Sequence, residues 1–173
     1  MTTCTPPPAP LAAIVRQATA LVSARVAPVG MPTICLDDTV PAGSGMSTPG
    51  VVSFAAADAA IYGRPPATWP PDRPVAVLHE VLHQIGMANG LTGAATEMYE
   101  EEGLAEAISQ DLRPVWLRSI RGRDAAVPIA YPPQVAAVRA ASVAATGKAW
   151  SSPAAKAWRY SVIATPPAAR PAI

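Results

Sequence analysis

The sequence predicts an α+β domain in which a short β-sheet packs against helices. Three observations carry this expectation. Residues of strand type are confined to two short runs, 33–36 and 51–56, both in the N-terminal third. Helical periodicity precedes them and occupies most of the chain that follows. With 173 residues, half of them hydrophobic, the chain can build one core but not two. A single domain is therefore expected over 11–164, between a proline-rich lead-in at 1–10 and an extended tail at 165–173.

The elements follow in order. "TPPPAP" at 5–10 is an extended lead-in. Leu11, Ile14, Val15, Ala18, Leu21, Val22 and Val26 recur at helical spacing, so 11–26 reads as an amphipathic helix. "PTICLDD" supplies the first strand and "VVSFAA" at 51–56 the second, with the turn-rich "AGSGMSTPG" as connector. After a proline-rich loop, Asp72 can cap a helix over 74–88 whose first turn tolerates Pro74. That helix should stop near Asn89 and Gly90. The next begins near Thr96 with an acidic first turn, which suits a helix N-terminus. Pro114 should end or kink it, with "VWLRSIRG" adding a turn or two. Residues 133–146 and 153–163 read as a C-terminal helical pair, and Trp116, Trp150 and Trp158 as packing residues.

Composition removes several function classes. A formal net charge of +1 gives no electrostatic case for nucleic acid or an anionic membrane surface. No run approaches the ~18 apolar residues that span a bilayer. The proline-rich start, broken further on by Arg16, Gln17 and Arg25, does not read as a signal peptide. The expected location is the cytoplasm, unless a signal-free route exports the chain or it joins a larger particle. Cys4 and Cys35 are the only cysteines, and their spacing gives no expectation of a disulfide framework.

Chemistry concentrates in "VLHEVLHQIG", residues 77–86. The chain has two histidines, His79 and His83, four residues apart with Glu80 directly after the first. Chance produces that arrangement in roughly 1 of 2,500 chains of this composition. On a helix, positions i and i+4 share a face, so both imidazoles can address one ion, and zinc is the preferred metal. Glu80 is rotated about 100° from His79, too far to be a third ligand but able to reach a water that the ion acidifies and act as general base. Val77, Leu78, Leu82 and Ile85 anchor this helix in the core. Catalytic zinc normally takes three protein ligands, and no third histidine exists. Five of the six glutamates fall within 97–106, where Glu97, Glu100 and Glu101 read as a solvated helix start.

"HEVLH", eighteen residues, then "EGLAE" resembles the gluzincin metallopeptidases, whose second helix donates a glutamate to zinc. The match covers about residues 51–110 and is nearest the aminopeptidase branch, with Glu101 standing where that branch usually has Asn. The resemblance implies a zincin-like domain with one Zn2+ per chain held by His79, His83 and Glu102. It implies Glu80 as catalytic base and Glu106 as the carboxylate that orients a ligand histidine. Taking Glu106 as the ligand instead would leave Gln110 in the orienting place. It also implies that "VVSFAA" is an edge strand pairing with an extended peptide substrate, through Ser53, Phe54 and Ala55. Such enzymes often add a Tyr or His donor for the oxyanion, and Tyr99 and Tyr131 are the candidates here. The expected activity is hydrolysis of peptides or flexible protein segments. "HEVLHQIGMAN" also resembles the metzincin pattern, with Gly86 in place, Asn89 at the ligand position and Met98 as a possible methionine turn. Two other readings stand beside the enzyme: an inactive zinc-binding assembly protein, and a metal-free helical interaction module. Cys4 could in principle ligate the zinc, but it lacks a surrounding motif.

Overall fold

The computed structural model describes residues 4–173, so residues 1–3 of the expected lead-in lie outside the described residues. In chain order the elements are α1 (Ala9–Arg25), β1 (Thr33–Asp37), β2 (Gly45–Thr48), β3 (Val51–Ala55), α2 (Ala59–Tyr62), α3 (Asp72–Ala88), α4 (Ala95–Arg121), α5 (Pro132–Thr146) and α6 (Pro153–Ile163). The architecture is α+β: six helices and one three-stranded mixed sheet among the described residues. Leu11, Ile14, Val15, Ala18 and Val22 of α1 are buried in one core with Val77, Leu78, Val81, Leu82 and Ile85 of α3 and Leu104, Ala107 and Ile108 of α4. Each of the Leu, Ile and Val side chains removed from water stabilises the fold by roughly 1.5–3 kcal/mol. That core fastens α3 between α1 and α4. Among the described residues no helix is long and apolar enough to cross a membrane.

The sheet differs from the expectation in one consequential way. Its order is β1-β3-β2, with β1 parallel and β2 antiparallel to β3. Gly45–Thr48, expected as part of a connector, is a strand, because Pro49 and Gly50 close a tight hairpin with β3. Gly50 sits at φ 72°, a conformation that favours glycine. Gln84 of α3 clamps that turn: its Oε1 accepts from the Gly50 amide at 3.0 Å, and its Nε2 donates to the Thr48 and Val51 carbonyls at 3.2 Å. The strand expected as an edge is therefore central. Ser53 lies opposite Cys35 on one side and Met46 on the other, and Phe54 opposite Leu36 and Gly45. Ser53, Phe54 and Ala55 are also buried. They have no free edge to offer a substrate, and the antiparallel edge is β2.

Three further expectations change. Pro114 does not end the helix it sits in, since α4 runs unbroken to Arg121. The hydrogen bond lost at Pro114 is outweighed by packing on its flanks. Leu112, Trp116 and Leu117 are buried, and the Trp116 indole donates to the Pro74 carbonyl at 2.6 Å. Asp72 does not cap α3; Pro71 holds that place without a side-chain bond, and Asp72 pairs with Arg73. Cys4 and Cys35 form a disulfide, reinforced by a bridge between Thr5 and Leu36, so the lead-in is fastened to β1 and Cys4 is no zinc ligand. With only two cysteines, spacing carried no information about this pairing.

Candidate metal centre

The i, i+4 spacing puts both histidine side chains of α3 on the face covered by α4, and both are buried. Their Nε2 atoms lie 3.0 Å apart. Oε2 of Glu102, 23 residues beyond His79 on α4, is 3.0 Å from His79 Nε2 and 3.3 Å from His83 Nε2. His79, His83 and Glu102 thus form a group that could hold a metal ion. The donor set fits: two imidazole nitrogens and one carboxylate oxygen are a ligand set of catalytic zinc, whose donors in tetrahedral geometry sit roughly 3.3–3.4 Å apart.

The electrostatics point the same way. Burial disfavours charged imidazoles here, but the surrounding carboxylates outweigh it. Glu102 and Glu106 raise His79 above its ordinary value, and Glu101 and Glu102 raise His83 to about 10. Burial likewise opposes a charged Glu102, yet hydrogen bonds from the two imidazoles hold it at about 2. Four carboxylates around two histidines make an anionic hollow that binds protons strongly, and a divalent cation neutralises the same charge.

Behind the triangle, each histidine faces a buried carboxylate with its other nitrogen. Glu106 Oε2 lies 3.5 Å from His79 Nδ1. Its other oxygen accepts from Gln110 at 3.1 Å and from the Ala130 amide at 3.3 Å, tying the loop before α5 to the site. Glu101 corrects the sequence reading. It is fully buried rather than solvated, lies 3.7 Å from His83 Nδ1, and is paired with Arg170 at 2.7 Å. Gly86 admits it: a Cβ there would stand 2.3 Å from Glu101 Oε1. A glycine inside a helix, three residues after His83, is the sequence signal that something approaches closely.

Glu80 lies beneath β2. Ser47 of that strand donates its hydroxyl to Glu80 Oε2 at 2.8 Å and also reaches the Glu80 carbonyl at 2.9 Å. Gly45 makes room, since a Cβ at that position would come within 2.4 Å of Glu80 Cγ. Ser47, Gly45 and Gln84 were not singled out by the sequence, because their partners lie more than thirty residues away.

The two tyrosine candidates separate. Tyr131 stacks on His79, with ring centroids 5.6 Å apart and planes 19° from parallel. It is the one non-glycine residue at positive φ (51°) among the described residues, a conformation costing on the order of 1 kcal/mol. Burial, then the charges of Glu102 and Glu80, push its hydroxyl up to about 12, so it stays a donor at neutral pH. Tyr99 instead lines an exposed groove with Ala95, Thr96, Glu100 and Ile173, away from the histidines. The side-chain amide of Asn89 donates to the Ile85 carbonyl at 2.9 Å, and Met98 is inside α4, so neither serves as the metzincin pattern would require.

His79, Glu80, Glu106 and Tyr131 line one side of an open cleft of about 480 Å³. Gly43–Gly45 form one rim, and the segment from Ala126 to Ala130 forms the other. No protein-family model, no curated protein and no solved structure matches this chain.

Proposed function

We propose that the protein is a zinc-dependent metallopeptidase with a minimal, gluzincin-like site. The observation that carries this reading is the convergence of His79, His83 and Glu102 beside a cleft that also exposes Glu80 and Tyr131. His79, His83 and Glu102 would hold one Zn2+, which when bound supplies a Lewis acid that polarises a carbonyl and acidifies water. Glu80 accepts the proton of the attacking water on its carboxylate and passes it to the leaving amine. Ser47 keeps that carboxylate pointed into the cleft by holding one of its oxygens. The Tyr131 hydroxyl is the donor for the negative charge that builds on the scissile carbonyl. The free edge of β2, at the Gly43–Gly45 rim, offers backbone groups to an extended peptide, the part expected of β3. Such a cleft suits flexible segments or short peptides. The Cys4–Cys35 disulfide favours an oxidising compartment over the expected cytoplasm as the place where they are met.

The test is metal content by mass spectrometry on protein purified without chelator, followed by a peptide-library cleavage screen. A single zinc per chain, with cleavage lost in Glu80→Gln while zinc is retained, is the expected result. Zinc without cleavage in either protein would favour an inactive zinc-binding assembly component. Absence of zinc after reconstitution would overturn the reading.

A further inference from the structure

Resting on the metal-centre reading above, we infer that Arg170, in the segment after α6, is a positioning residue for the metal ligand His83, acting through Glu101. Arg170 Nη1 donates to Glu101 Oε2 at 2.7 Å, and both side chains are shut off from water, at 1% and 0% exposure. The guanidinium is itself fixed: Nε donates to the Thr165 carbonyl at 3.0 Å and Nη2 to the Ile163 carbonyl at 3.1 Å. Arg170 thus bridges the end of α6 to α4. The other oxygen of Glu101 lies 3.7 Å from His83 Nδ1, and neither of these two buried atoms has a hydrogen-bond partner. Each is therefore the polar group available to the other, and unpaired buried groups of this kind are costly.

The arrangement has the parts that set a ligand histidine's tautomer. A carboxylate facing Nδ1 keeps the proton there and leaves Nε2 to the metal, and it fixes the plane of the ring. A buried carboxylate needs a partner of opposite charge, and the Arg170 guanidinium supplies it at 2.7 Å. Glu106, which faces His79, is held instead by neutral donors, with Gln110 and the Ala130 amide bonded to its other oxygen. The metal centre therefore draws on α3, α4 and the post-α6 segment, sixty-nine residues beyond Glu101.

The experiment measures zinc affinity by competition with a chromophoric chelator, alongside the visible spectrum of the cobalt(II)-substituted protein. Glu101→Leu/Arg170→Leu removes both charges together, a change that buried pairs often tolerate in stability. Zinc affinity in this variant is expected to fall about 10–100-fold, with an altered cobalt band, because His83 loses its orienting carboxylate. The buried pair Asp111–Arg159, which touches no ligand histidine, provides the control: Asp111→Leu/Arg159→Leu should leave affinity within about 3-fold. Should the first double variant fail to fold, Arg170→Lys and Arg170→Gln replace it, with lysine expected to hold zinc more tightly than glutamine. Wild-type affinity and an unchanged cobalt spectrum in the Leu/Leu variant, or equal affinity in the Lys and Gln variants, would overturn the inference. Failure of the wild type itself to bind zinc would overturn the metal-centre reading instead.

Discussion

Replacing Gly45 with alanine tests whether β2 sets the position of the general base. The added Cβ would stand 2.4 Å from Glu80 Cγ and 2.8 Å from Glu80 Cδ. Ordinary contacts start near 3.4 Å, so about 1 Å of relief is needed. The clash falls on Cγ, next to the helix backbone, so small rotations at the far end of the side chain cannot relieve it. Glu80 must change its χ1 rotamer or β2 must lift from α3, and lifting β2 breaks the Ser47 bonds. Misplacing a reacting group by about 1 Å costs on the order of 100-fold in rate. Overpacking of this kind also costs roughly 1–3 kcal/mol, or about 2–12 °C in midpoint for a chain this size. The assay is kcat on a peptide cleaved by the wild type, with zinc content and thermal midpoint measured on the same preparations. Zinc should be unchanged, since none of its three ligands touches Gly45. A kcat within about 3-fold of wild type, at equal zinc content, would refute the placement of Glu80 beneath β2.

Tyr131→Phe should lower kcat by about 10–100-fold with little change in KM or zinc content, because the hydroxyl is needed only when charge develops on the substrate oxygen; equal kcat would remove Tyr131 from the mechanism. Reducing the Cys4–Cys35 disulfide, whose partners are 31 residues apart, should cost about 3–4 kcal/mol, read as a drop of roughly 6–16 °C in midpoint with dithiothreitol. Two free thiols by titration with no such drop would contradict that role. The metal-free protein should be most stable between about pH 4.5 and 6.5. Glu102, held down to about 2, contributes fully above its ordinary 4.5 and loses that contribution as pH falls. His83, raised to about 10, contributes fully below its ordinary 6.5 and loses it as pH rises. Chemical denaturation across pH in the presence of chelator checks this, and a midpoint still climbing from pH 7 to 9 would be the wrong sign.

The parts of the fold legible in the sequence are those written in local periodicity. The spacing of Leu11, Ile14, Val15, Ala18 and Val22 is satisfied within one helix, as is that of Val77, Leu78, Leu82 and Ile85. Strand β2 escaped because Gly45 and Ser47 have little strand propensity of their own and Thr48 alone does not mark a strand. Their strand geometry comes from pairing with β3 and from the grip of Gln84 on the hairpin. Pro114 misled for the same reason in reverse: a local rule against helix was overridden by tertiary contacts of Trp116.

The candidate site divides along the same line. His79, Glu80 and His83 share one turn of helix, and Glu102 and Glu106 another, so two short stretches hold the proposed metal ligands and the proposed base. What orients those groups is spread through the chain: Ser47 on Glu80, Glu106 on His79, Arg170 through Glu101 on His83. The partners in each of these contacts lie far apart in sequence, so local periodicity carries no trace of them. Gly45 and Gly86 each admit a buried carboxylate where any side chain would collide with it. If close approach is their purpose, Gly86→Ala should weaken zinc binding by displacing Glu101, whereas Gly45→Ala should slow catalysis and spare the metal. Two glycines with opposite signatures would separate the charge that orients a ligand from the charge that takes the proton.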